Sequence, residues 1–110
     1  MPLVSIIIPC YNEQATIRLL LDAIACQTFS LSEMEVIIAD GLSSDRTREV
    51  VAEFHQEHPG LSLTVVYNHK RIIPSALNIA LSVAKGNTII RLDAHSIHQN
   101  DYVARCVKAL

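Results

Sequence analysis

Glycine is scarce in this chain: Gly41, Gly60 and Gly86 are the only three. Glycines so far apart exclude the G-x-G-x-x-G dinucleotide loop and the G-x-x-x-x-G-K-[ST] phosphate loop. No apolar run approaches the ~20 residues of a membrane-spanning helix. There is no basic run either, and the net charge is −2. The electrostatic groove of a nucleic-acid binder is therefore missing. An anionic ligand would have to be held locally, by a metal, a helix N-terminus or one or two cations. The cysteines, Cys10, Cys26 and Cys106, are odd in number and widely spaced. They fit no zinc motif and no disulfide framework, which points to a reducing, cytoplasmic compartment. Cys10 reads as a small buried residue.

What remains is a globular composition. Half of the 110 residues are hydrophobic and 18% are charged, enough for one domain with a real core and too apolar for disorder. The start, Met1-Pro2-Leu3-Val4-Ser5, enters a strand-like run with no basic stretch, so no signal peptide is expected.

The apolar pattern alternates between two periods. Val4 to Ile8 is a short, β-branched, nearly continuous apolar run expected to be stopped by Pro9, as in a strand buried on both faces. Asn12 is placed to cap a first helix, in which Ile17, Leu20, Leu21 and Ile24 recur at helical spacing. Val36 to Ala39 predicts a second strand ending at Asp40-Gly41. A second helix is expected from near Ser43-Ser44-Asp45, where hydroxyls and a carboxylate suit a cap. Its apolar face is Thr47, Val50, Val51 and Phe54, and it stops before Pro59-Gly60. Leu63 to Tyr67 predicts a third strand. Pro74 suits the first turn of a third helix that buries Leu77, Ala80, Leu81 and Ala84 and ends at Lys85 and a C′ glycine, Gly86. Thr88 to Leu92 predicts the fourth strand, and Asn100-Asp101 opens a last helix with Val103, Cys106, Val107 and Leu110 on one face. Regular βα alternation with short connections predicts a parallel sheet with right-handed crossovers and helices on both faces. The pattern stops in mid-course at Leu110, so the expectation is the first part of a longer protein.

In such a sheet the loops after the strands line one edge, where open α/β sheets bind ligands. Here those loops are Pro9-Cys10-Tyr11-Asn12-Glu13, Asp40 to Asp45, Asn68-His69-Lys70-Arg71 and Asp93-Ala94-His95-Ser96. They offer a ring, carboxylates, hydroxyls, cations and an imidazole, an inventory suited to a nucleoside diphosphate with its metal. Asp93 and His95, two apart in extended chain, point the same way. Together they can hold one divalent ion, with the carboxylate favouring Mg²⁺ or Mn²⁺. Against this, Ser43, Ser44 and Asp45 suit helix caps as well as ligand contacts. His55-x-x-His58 reads as surface, and Glu49, Glu53 and Glu57 read as a solvated helix face.

With these segments in order, the chain resembles the inverting family-2 glycosyltransferases, which have the Rossmann-like GT-A fold. Ile6 to Glu13 is similar to the family's opening strand and P-x-Y-N-E loop, and Gln27-Thr28-Phe29 to its Q-T-[FY]. Asp40 to Thr47 is similar to its D-D-G-S-x-D-x-T segment. Ser75 to Ala80, Ala84 to Asn87 and Leu92 to His95 are similar to its A-x-N-x-[GA]…A-x-G…[LI]-D-x-D stretch. The D-A-H version with Ser96 resembles the branch that builds succinoglycan-type exopolysaccharides. The likeness implies a nucleotide-sugar pocket lined by Pro9, Tyr11 beside the base and Glu13 near the ribose. It implies Asp40 facing the base, Asn78 shaping the donor site, Asp93 near ribose and metal, and His95 as a metal ligand. Lys70 or Arg71 is assigned to a phosphate from charge alone. Two departures stand out: Gly41 replaces the second acid of D-D-G-S, and His95 replaces the last acid of D-x-D.

The expected activity is transfer, with inversion, from a nucleoside-diphosphate sugar, a UDP-sugar first, to a glycan or lipid-linked acceptor. A divalent Mg²⁺ or Mn²⁺ assists. The catalytic acid is expected beyond Leu110, so residues 1–110 would be the donor-binding part, truncated after about four strands and inactive alone. It would work at the cytoplasmic side of a membrane if later helices anchor it, and it would self-associate through surface meant for the missing half. The alternative is a non-catalytic nucleotide-binding or assembly module that keeps the fold without turnover.

Overall fold

The computed structural model describes residues 4–27, 30–70 and 73–93. Strand β1 (Val4–Cys10) leads to helix α1 (Ile17–Ala25), and a 3₁₀ turn (Leu31–Glu33) leads into β2 (Met34–Asp40). Then come α2 (Thr47–Glu57), β3 (Ser62–Tyr67), α3 (Ile73–Val83) and β4 (Thr88–Arg91). The predicted last helix, Thr28-Phe29 and the residues after Asp93 lie outside the described residues.

All pairings are parallel, in the order β3-β2-β1-β4. The two central strands are the most continuously apolar, and every residue of β2 is buried. Alternate side chains feed two cores. Val4, Ile6, Ile8, Val36, Ile38 and Ile90 pack under α1 and α2, while Ile7, Ile37 and Ala39 meet Ala76 and Ala80 of α3. Helices thus cover both faces, as expected of right-handed crossovers when the chain steps outward to β3 and then returns past β1 to β4. The return makes a topological switch point between β1 and β4, and crevices for ligands open at the carboxyl ends of such strands.

Four local expectations are corrected. Pro9 does not stop β1, which runs on to Cys10. Ile7 gives its carbonyl to Leu92 N–H at 3.1 Å. Residues of the same parity, Pro9 included, therefore face β4, which has already ended at Arg91, and no ladder bond needs the missing N–H. Asn12 does not cap α1. That helix starts four residues after Glu13, whose carbonyl takes the N–H groups of Thr16 (3.0 Å) and Ile17 (2.8 Å). Leu81 is 47% exposed rather than buried, because α3 lies on its two small alanines and leaves Leu81 on its flank. Gly86 is not a left-handed cap, since no described glycine has positive φ. It is required for space: a Cβ there would stand 2.6 Å from Ser5 N and 2.7 Å from Val4 C.

Below the sheet, Glu35 is buried and accepts the Ser5 hydroxyl and Lys85 N–H, each at 2.5 Å. On the α1/α2 face, Arg18 bridges Asp22 (2.9 Å) and Glu57 (2.7 Å) and lies 5.5 Å over the Phe54 ring. The Glu49, Glu53 and Glu57 row is exposed, as expected, and pairs with Arg46 and Arg18. His58 stacks on Phe54 at 4.3 Å, a packing role. Among the described residues no group of three or more His, Cys, Asp or Glu is placed to hold a metal.

Candidate functional site

The loops after β1 and β2 are joined by side chain to backbone bonds along their length. Asn12 N–H donates to Ser43 Oγ at 3.0 Å, and Asn12 Oδ1 accepts Ser44 N–H at 2.8 Å and Asp45 N–H at 3.4 Å. Glu13 N–H donates to Thr47 Oγ1 at 2.9 Å, and Gln14 Oε1 accepts Arg46 N–H at 2.9 Å. Asn12 sits at φ 50°, a left-handed conformation that asparagine tolerates better than most residues. The polar residues of both segments thus spend themselves on each other and build one rigid edge. Asp45 also takes the Thr47 N–H at 2.9 Å and hydroxyl at 2.5 Å, one residue ahead of the N-cap, Arg46, which has no side-chain cap bond of its own. Burial pushes the Asp45 carboxyl up, but the Thr47 bonds, together with the backbone N–H groups of Gln14 and of Asp45 itself, outweigh this and leave it below the usual carboxylate range.

Asp40 ends β2 and is fully buried. Its Oδ2 accepts Ser43 N–H at 3.1 Å, and its Oδ1 accepts the Ser43 hydroxyl and the Cys10 thiol, the latter at 3.7 Å. Burial first, then the Asp40 charge, pushes the Cys10 thiol up to about 12, so it stays a donor. Arg48 closes this group from outside, with Nε 3.8 Å from Asp40 Oδ2 and Nη2 3.0 Å from the Ser43 carbonyl. Asp40 therefore organises its own loop. Leu42 follows at φ 61°, a conformation costly for a branched side chain.

Three of the expected residues stand at the carboxyl ends of adjacent strands: Asp40 as the last residue of β2, Tyr11 just after β1 and Asp93 two residues after β4. Tyr11 is 43% exposed, Glu13 is half-buried beside Thr16, whose hydroxyl it accepts at 3.0 Å, and Pro9 lies half-buried in β1. Asn78 is exposed on α3. It lines a cleft of about 350 Å³ with Asn68, His69, Lys70 and Ser75, at the end of β3, where Asn68 N–H donates to the Asp40 carbonyl at 2.7 Å. Arg71 and His95 lie outside the described residues. Two cations were missed by reading the sequence, Arg48 and Arg91. The second carried a signal, being a lone charge inside an apolar strand run. Its Nη2 pairs with Asp93 Oδ1 at 3.3 Å.

A motif-bearing rim on a parallel sheet, with the switch point beside it, is where open α/β sheets bind ligands. The family model described as Glycosyl transferase family 2 matches residues 5–110. The chain belongs to glycosyltransferase family 2. Among curated relatives, it is 36% identical over 105 residues to the succinoglycan biosynthesis protein ExoA of Rhizobium meliloti, covering 94% of this chain and 31% of that protein. It is also 36% identical over 107 residues to a hyaluronan synthase of Pasteurella multocida, covering 97% of this chain and 11% of that one. Among solved structures, a mannosyltransferase from Pyrobaculum calidifontis in complex with GDP-Man and Mn²⁺ superposes with TM-score 0.92 at 36% identity. That match covers 97% of this chain and 32% of that one. S. aureus TarS in complex with UDP-GlcNAc superposes with TM-score 0.80 at 26% identity, over 98% of this chain and 30% of that one. The GT-A-type fold of these glycosyltransferase neighbours is the fold described above. The chain spans about a third of the length of most of these relatives.

Proposed function

We propose that residues 1–110 form the donor-binding part of an inverting glycosyltransferase that takes a nucleoside-diphosphate sugar, with the acceptor bound by the remainder of a longer protein. The observation that carries this is the convergence of Tyr11, Asp40 and Asp93 at the carboxyl ends of three adjacent strands, beside the switch point. Tyr11 offers an exposed ring for the base and Glu13 a carboxylate for the ribose, while the buried Asp40 holds the loop at the base end in place. UDP is the first nucleotide to consider. The mannosyltransferase bound to GDP-Man makes GDP the necessary comparison.

The donor set fits a divalent ion shared with a ligand. Asp93 supplies a half-exposed carboxylate at the sheet edge, and Mg²⁺ characteristically combines one or two carboxylates with substrate phosphates. Asp93, with His95 beside it in sequence, would hold the ion. When bound, it would supply positive charge for the departing diphosphate. The rigid Asn12–Ser44 seam positions the base-side loops before the ligand arrives. Such preorganisation lowers the ordering cost of binding. In the complete enzyme the acceptor oxygen forms its bond to the anomeric carbon as the bond to the diphosphate breaks. The hydroxyl proton passes to an acidic base of the complete enzyme. The free thiols of Cys10 and Cys26 suit a reducing, cytoplasmic-side compartment, where a glycan or lipid-linked acceptor would be met.

A second reading is an inert nucleotide-binding module. The engagement of both Asp40 oxygens within its own loop favours it, as does Gly41 where the family has an acid. Calorimetric titration of UDP and of GDP, with and without Mn²⁺, separates affinity from its absence. The donor-site reading predicts metal-dependent binding that Asp93→Ala abolishes. Failure of both nucleotides to bind a folded sample would refute it.

A further inference from the structure

Strand β4 carries one charge. Ile90 and Leu92 enter the core under α1 and α2, so Ile89, Arg91 and Asp93 share the opposite face. Helix α3 packs over β1, β2 and β3 on that face, and the side chains of Arg91 and Asp93 are 44% and 47% exposed. Two apart in extended chain, they meet in an ion pair of 3.3 Å. The guanidinium thus occupies the one described carboxylate assigned above to the divalent ion.

We propose that Arg91 competes with the divalent cation for Asp93, so that the ion is taken tightly only together with a diphosphate. This rests on the donor-site reading. Two cations drawn to one carboxylate repel each other, and the ion must either displace the guanidinium or bind beside it. Because the pair is half exposed, the hold is weak and reversible, worth up to about fivefold in an equilibrium constant. A diphosphate changes the balance. It brings several negative charges and accepts a guanidinium through two parallel N–H bonds. Arg91, anchored on the strand just before Asp93, turns from the carboxylate to the phosphate, and what was a competitor becomes a further contact. With the Arg91 guanidinium already paired to Asp93, occupancy by metal alone is the state most weakened. Binding of Mn²⁺ and nucleotide then becomes positively coupled, and the coupling is reciprocal.

The test is Mn²⁺ binding followed by the electron paramagnetic resonance signal of the free ion, with and without UDP, and with GDP where UDP does not bind. It compares the parent protein, Arg91→Gln and Arg91→Lys, with a melting curve for each. Arg91→Gln should bind Mn²⁺ more tightly than the parent without nucleotide, by up to about fivefold, and should gain less from adding it. Arg91→Lys keeps the charge and should keep the weak binding of metal alone, while losing part of the gain with nucleotide because it lacks the planar fork. If the parent binds Mn²⁺ with nucleotide but Arg91→Gln leaves the affinity for metal alone unchanged or weaker, the competition is overturned and the donor site stands. If the parent takes neither Mn²⁺ nor nucleotide in any combination, the donor-site reading falls, and the role of Arg91 with it.

Discussion

Replacing Asp40 with asparagine keeps the shape of the side chain and removes one acceptor. In the folded protein three donors converge on its two oxygens: Ser43 N–H, the Ser43 hydroxyl and the Cys10 thiol. Asparagine offers one oxygen and one NH₂ group. If the oxygen serves the fixed Ser43 N–H, the NH₂ faces the hydroxyl and the thiol. The hydroxyl can rotate to accept, so one bond is recovered in neutral form, while the charge-assisted contacts are lost. Hydrogen bonds to charged groups contribute about 1.5–3 kcal/mol each and neutral ones about 1 kcal/mol. The net cost of Asp40→Asn is therefore about 2 kcal/mol, and that of Asp40→Ala about 3–4 kcal/mol, since the buried Ser43 N–H then has no acceptor from residue 40. For a chain of this size 2 kcal/mol corresponds to a fall in melting temperature of roughly 10 °C. Thermal unfolding followed by circular dichroism reads the loss. A double-mutant cycle with Ser43→Ala should return a coupling of about 1 kcal/mol, as expected for groups in direct contact. An Asp40→Asn protein that melts within about 2 °C of the parent would show that Asp40 does not tie this loop together.

Three further outcomes are expected. Gly86→Ala should destabilise by about 3 kcal/mol or more, read by urea unfolding, because its Cβ meets the backbone of Val4 and Ser5 at 2.6–2.7 Å and backbone cannot move aside; a change below about 1 kcal/mol would contradict the packing described. Leu42→Gly should be neutral or stabilising by up to about 1 kcal/mol, unlike most glycine substitutions, because Leu42 is held at φ 61°; a clear loss in the same assay would mean that its side-chain packing outweighs the strain. With iodoacetamide at pH 8, peptide mass mapping should find exposed Cys26 modified and Cys10 spared until the protein unfolds, since Cys10 is buried and its thiol is pushed up to about 12; rapid modification of Cys10 in the folded protein would refute its burial.

The four strands and three helices were legible because their signals are local. Ile6 to Ile8 and Val36 to Ile38 are β-branched runs too short for helices, and Ile17, Leu20, Leu21 and Ile24 keep one helical face. The strand order was legible only as a class, because nothing in β4 itself says that it returns past β1. The loop motifs were legible as motifs, but their work was not. Asn12 reads as a cap for the helix after it and instead holds the loop after β2, 32 residues away. Asp40 reads as an acid at a strand end, and whether it meets a ligand or its own loop depends on the approach of Ser43 and Cys10 in space. Glu35 shows the same limit. A carboxylate inside a buried strand looks like an error until its donors appear from Ser5 and from Lys85, which is 50 residues away. Arg91 is the reverse case, since its lone charge in an apolar run was visible and its partner two residues on was within reach of inspection.

The central claim is that the loops after β2, β1 and β4 form one nucleotide site. Backbone amide shifts in nitrogen-15 correlation spectra, recorded as UDP or GDP is added with Mg²⁺, test it residue by residue. The account predicts shifts at Tyr11, Asn12, Gly41, Leu42 and Asp93, with Arg18, Phe54 and Glu57 on the far helices unmoved. Shifts confined to another part of the surface, or none with either nucleotide in a folded sample, would contradict it.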